Sequence, residues 1–192
     1  MIKFMILTWV CLGGPGFTVY AQPNPKIAEP FRQAFFSDSI YQESRCYDNV
    51  YRFIDQLRDR SVSLRGTYVL GIKNKGIQDF GMVAAHRTRV HYTQNWFHHV
   101  VLYDGKYIYD FDFTSKPKPI EPAEYFHQMF KTEKQKTNRK SCDETLGRYE
   151  ISFIPVKAQD SGSRYDGEQV RMMKDIPGWG CDYTGTFSGS AE

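Results

Sequence analysis

The chain has 192 residues, of which 41% are apolar and 16% aromatic, and a formal charge of +3. That length suits one domain with a proper core, and that composition excludes a disordered chain. The nearly balanced charge, with no basic stripe, gives no reason to expect a nucleic acid or an anionic membrane as partner.

Residues 1–21 read "MIKFMILTWVCLGGPGFTVYA". Lys3 supplies a short positive region, Phe4 to Leu12 an apolar one, and Ala21 a small residue suited to cleavage before Gln22. The expectation is a secretory signal peptide followed by one domain over 22–192, in a secreted or periplasmic protein. The apolar run is too short to span a bilayer. Cleavage would leave Cys46, Cys142 and Cys181. Disulfides form outside the cytosol and use cysteines in pairs, so one thiol is left over. Cys142 lies in a polar stretch and Cys181 in a Gly-rich tail. Those two suit a staple that ties down the C-terminus, which leaves Cys46 free.

Gln22 to Pro30 is Pro-rich and reads as an extended lead-in, with a short helix over 28–36. In "SRCYDNVYRFIDQLRDR", residues 44–60, Cys46, Val50, Phe53 and Leu57 recur at spacings of four, three and four. That is one face of an amphipathic helix, with Ser44 as N-cap and Cys46 in the first turn. Strands follow at 66–73, within 80–92, at 96–103 and at 106–113. The last two are joined by Asp104-Gly105, a strong hairpin signal. Residues 121–130 suggest a short helix, 131–141 a charged exposed loop, 148–156 a strand and 167–176 a last helix. Tyr125-Phe126 reads as core. The pattern is α+β, with a cysteine-bearing helix packed on a mostly antiparallel sheet.

The apolar hairpin holds residues that core packing does not require. His98 and His99 are adjacent in one strand, and Asp110 and Asp112 lie in the next. Neighbouring strands are about 5 Å apart, so an imidazole on one can reach a carboxylate on the other. A thiol at a helix N-terminus is favoured as thiolate, the nucleophilic form. It needs a base, and the base needs an orienting acceptor. Cys46, His99 and Asp110 would supply the three roles. Alternation turns His98 to the opposite face from His99 and leaves Asp112 as the rival orienter. His86, His91 and His127 show no ligand spacing, and no metal is expected.

"CYDNVYRFI", "WFHHVVLY" and "YIYDFDF" together resemble the Cys-His-Asp framework of glutamine-deamidating enzymes. These are the protein N-terminal glutamine amidohydrolases and the secreted bacterial protein-glutaminases. Trp96, His99 and Val100 match the Trp-x-x-His-Val around the family histidine. Tyr109-Asp110-Phe111-Asp112 matches the Tyr-Asp-x-Asp pattern, and Cys46-Tyr47 the cysteine opening. The resemblance covers roughly residues 44–130. It implies a papain- or transglutaminase-like core, with Cys46, His99 and Asp110 as catalytic residues and Trp96 and Tyr47 at the substrate. It also implies that backbone amides at the helix start stabilise the oxyanion. The substrate would be glutamine in a peptide or protein, with no cofactor, in a monomer. The sequence departs from both groups. Only Asp48 supplies an acid soon after the cysteine, and few residues separate the expected mature start from Cys46. A thiol protease, a transglutaminase or a cell-wall amidase would use the same triad, and a non-catalytic secreted binding protein would keep Cys46 inert in the core.

Overall fold

The computed structural model describes residues 22–42, 45–74, 98–113, 115–129, 149–156, 171–172, 179–181 and 187–189. The expected leader, the strands within 80–92, the charged loop at 131–141, Trp96 and Cys142 lie outside the described residues.

Helix α1 spans Pro25–Phe35. The Pro-rich segment read as extended is therefore helical from Pro25 onward. Asn24 accounts for the difference: its side chain accepts from the amide of Lys26 at 3.1 Å and caps the first turn. Pro25 sits where its missing N–H costs nothing and its fixed φ suits the helix. Ile27, Ala28, Phe31, Ala34 and Phe35 form the buried stripe. Helix α2 spans Cys46–Asp59 and buries Val50, Phe53, Ile54 and Leu57, the face the spacing predicts. Its N-cap position is Arg45, which makes no side-chain cap, and Ser44 lies outside the described residues. The chain ahead of α2 is held by Asn49 instead. Its fully buried amide accepts from the Gln42 amide N–H and donates to the Gln42 carbonyl, each at 2.8 Å. A side-chain amide carries both donor and acceptor, so it pairs both groups of one residue.

The sheet is antiparallel with order β3-β2-β1-β4-β5. Its strands are β1 (Tyr68–Asn74), β2 (His98–Tyr103), β3 (Ile108–Tyr109), β4 (Tyr149–Pro155) and β5 (Arg171–Met172). Helix α3 spans Pro122–Met129. Strands β6 (Trp179–Cys181) and β7 (Phe187–Gly189) form a separate two-stranded sheet. The protein is thus α+β, mixed helix and antiparallel sheet.

Three local expectations are corrected. The β2–β3 connection is a four-residue loop, Asp104 to Tyr107, closed by the Asp104 amide on the Tyr107 carbonyl at 3.1 Å. Asp104 Oδ1 accepts from the amides of Lys106 and Tyr107, and Gly105 takes φ +91°, so the aspartate and glycine act inside a longer turn. The segment expected as a last helix contributes β5, because the free edge of β4 offers ladder partners at Ser152 and Phe153. Cys181, expected in a loop, is on β6.

Two buried clusters flank the sheet. One packs α1 and α2 against Val69, Val100, Leu102, Tyr109 and Phe111. Phe31 lies at its centre, edge-on to Phe35, Phe53, Tyr109 and Phe111 at centroid distances of 5.0–5.8 Å. The other joins Leu70, Ile72, Val101, Tyr103, Ile108, Ile151 and Phe153 to Phe113, Ile120, Tyr125 and Phe126. Strand β2 is consequently buried along its length except at His98. Each large side chain so buried contributes about 1.5–3 kcal/mol. Reciprocal bonds between the backbones of Ile108 and Ile120 tie the segment before α3 to the outer edge of β3. That tie brings α3 to the end of the hairpin.

Candidate active site

Four elements meet at the start of β2. Helix α2 brings Cys46 in its first residue, and β2 brings His99 in its second. The chain leaving β3 brings Asp110, and α3 brings Tyr125. Cys46 is a free, half-buried thiol. His99 is fully buried and Asp110 nearly so, while His98, the first residue of β2, is exposed and on the opposite face from His99.

His99 Nε2 lies 2.7 Å from Asp110 Oδ2. The same oxygen accepts from the Tyr125 hydroxyl at 2.6 Å, and Oδ1 accepts from the Asp112 amide at 2.8 Å. Three donors therefore converge on one buried carboxylate, which removes the cost of burying it unpaired. Cys46 adjoins the imidazole as a hydrogen-bonding and electrostatic neighbour. Burial pushes the His99 imidazolium down. The Asp110 charge and hydrogen bond, followed by the hydrogen bond and charge of Cys46, outweigh it and raise the pKa from 6.5 to about 10. The geometry thus favours a protonated His99 held by a buried carboxylate, with a thiol as its neighbour.

Asp110 reaches His99 because the ladder stops. Leu102 pairs with Tyr109 and Tyr103 with Ile108. Continuing that register would set Asp112, not Asp110, opposite His99. The chain leaves the strand after Tyr109, and the Asp112 amide turns back onto Asp110 Oδ1. The expectation that Lys106–Phe113 is one strand is corrected here to the two residues Ile108–Tyr109.

Tyr47 follows Cys46 on α2. Its ring packs on Tyr51 with centroids 4.5 Å apart and rests partly buried against the helical cluster. Tyr125 was legible in the sequence only as core. Its one distinguishing signal is that a buried tyrosine hydroxyl demands a polar partner, and an adjacent buried carboxylate supplies it. Among the described residues, no group of three or more His, Cys, Asp or Glu is placed to hold a metal ion, and no helix is long and apolar enough to cross a membrane.

The chain matches no protein-family model and no curated protein.

Proposed function

We propose that this protein is a cysteine amidohydrolase that deamidates glutamine in peptides or proteins, built on a papain- or transglutaminase-like core. The observation that carries the reading is the 2.7 Å bond from the His99 ring to Asp110, with the Cys46 thiol beside the same ring at the start of a helix. The resemblance around Cys46, His99 and Asp110 supplies the substrate class.

In this reading the Cys46 thiolate attacks the carboxamide carbon. The amide of Cys46, one of the first N–H groups of α2 without an intrahelical acceptor, donates to the developing oxyanion. The C–N bond breaks as His99 gives its proton to the departing ammonia, leaving a thioester. His99 then takes a proton from water, and the resulting hydroxide attacks the thioester. The C–S bond breaks, glutamate is released and the thiolate–imidazolium pair returns. Asp110 holds the ring orientation and stabilises its charged form throughout. Tyr47 and Trp96 are proposed at the substrate, and no cofactor takes part. The leader over 1–21 would send the protein out of the cytosol, and Cys142 and Cys181 would pair there. Mass spectrometry of the unreduced mature chain tests the pairing, and a link from Cys46 to either cysteine would overturn it.

The test is ammonia release from peptides carrying glutamine at the N-terminus or internally, with wild type and Cys46→Ala. Cys46-dependent ammonia release supports the proposal. Peptide-bond cleavage without ammonia would make the protein a thiol protease. Ammonia formed only with an added amine acceptor would make it a transglutaminase. No turnover, with a Cys46 that iodoacetamide does not modify near neutral pH, would leave a binding protein with an inert thiol.

A further inference from the structure

The carboxylate that serves His99 has a second side-chain donor. Tyr125, fully buried on α3, donates to Asp110 Oδ2 at 2.6 Å, the oxygen that lies 2.7 Å from His99 Nε2. An oxygen with two lone pairs can accept both. Each hydrogen bond it accepts, however, draws charge from the other. The Asp112 amide secures only Oδ1. Among the described residues, the Tyr125 hydroxyl is therefore the donor, apart from His99 itself, that fixes Oδ2.

Resting on the triad reading above, we infer that Tyr125 is a positioning residue: its hydroxyl pins Asp110 Oδ2 beside His99 and sets how tightly the carboxylate holds the imidazolium. Among the described residues, the groups that act on this cluster are Cys46 from α2, His99 from β2, Asp110 and Asp112 from the chain after β3, and Tyr125 from α3. Burial, then the charge and hydrogen bond of Asp110, then the charges of Asp112 and Cys46 hold the Tyr125 phenol well above its usual pKa. It stays a donor over the whole range in which His99 titrates.

The experiment compares wild type, Tyr125→Phe and the protein carrying 3-fluorotyrosine in place of Tyr125. His99 is titrated through its ring nitrogens by NMR, and Cys46 alkylation by iodoacetamide is followed against pH. Without the hydroxyl, Oδ2 serves His99 alone, so the alkaline step of both profiles moves up by about half a pH unit or more. The fluorinated phenol is a stronger donor and moves the step down. On a glutamine peptide, Tyr125→Phe lowers kcat about tenfold, the weaker end of what one hydrogen bond to a charged group supplies, while KM stays within about twofold. An alkaline step unmoved in both variants would reduce Tyr125 to core packing and overturn the inference. A rise in KM at constant kcat would also overturn it, because Tyr125 would then act on substrate. Alkylation and NMR need no substrate. If wild type releases no ammonia, the glutamine reading fails while the role of Tyr125 is still decided.

Discussion

Replacing Asp110 with Asn isolates what the carboxylate does, because it keeps the shape and removes the charge. Three donors point at Asp110: His99 Nε2 and the Tyr125 hydroxyl at Oδ2, and the Asp112 amide at Oδ1. An asparagine offers one acceptor oxygen and one NH2. If its oxygen faces His99 and Tyr125, its NH2 meets the Asp112 amide N–H. If it is reversed, the NH2 meets His99 Nε2 and forces the ring into the wrong tautomer. The first arrangement leaves a buried donor facing a donor, at a cost of about 1–3 kcal/mol in stability, and the second avoids that clash only by taking the wrong tautomer. The electrostatic loss is larger for function. Asp110 is the main group raising the His99 pKa against burial. Without its charge that pKa falls from about 10 back toward or below 6.5, and the imidazolium loses its support. The expected drop in kcat/KM is about 10³–10⁴-fold, the scale on which a mis-set tautomer acts. It is measured as ammonia release from a glutamine peptide, alongside the NMR titration of His99 and a urea melt. Asp112→Asn on the same peptide is the internal comparison. Asp110→Asn keeping more than about a tenth of wild-type turnover would refute the orienting role, as one stabilised charge at this site supplies more than that. So would an unmoved His99 titration, or an Asp112→Asn variant that is the more damaged of the two.

Other perturbations read different parts of the site. Cys46→Ala should abolish ammonia release with an unchanged melt, and His98→Ala should leave kcat/KM within about twofold, since His98 is exposed and on the opposite face of β2 from His99. His99→Ala should also abolish release. It should cost about 3–5 kcal/mol as well, because it leaves the Asp110 charge buried without its partner. The raised His99 pKa sets a pH window for stability: the folded value, about 10, exceeds the unfolded 6.5. The stabilisation is complete below about pH 6.5 and is lost as pH rises through about 10. Urea midpoints at pH 6, 8 and 10.5 should fall with pH more steeply in wild type than in His99→Gln, and parallel slopes would count against the pair. Asn49→Ala should lower stability by about 1–3 kcal/mol and reduce turnover, since it frees the Gln42 backbone that leads into Cys46. A urea melt and kcat together check it.

Part of this fold was legible in the chain because local periodicity carried it. The spacing of Val50, Phe53 and Leu57 places α2 to within two residues at either end, and with it Cys46 in the first turn. The alternation of His98 and His99 along an apolar strand tells that the two imidazoles lie on opposite faces. Those signals depend only on neighbours a few positions apart, so they survive in a one-dimensional reading.

What the sequence could not decide depends on groups far apart in the chain. Pattern alone left Asp110 and Asp112 as rivals on one strand face, and ideal register would favour Asp112. The ladder ends at Tyr109, and Asp110 meets His99 across a gap that no periodicity encodes. Tyr125 reads as one more aromatic in a short helix. Its role appears only when the Ile108–Ile120 tie carries α3 back to the hairpin and a buried hydroxyl finds a buried carboxylate. Residue types and spacings along the chain therefore determined where a thiol, an imidazole and two carboxylates sit on their own elements. Tertiary packing decided which carboxylate the imidazole takes, because a buried hydrogen bond is won by the donor and acceptor that the folded backbone brings within 3 Å, not by their order in the sequence.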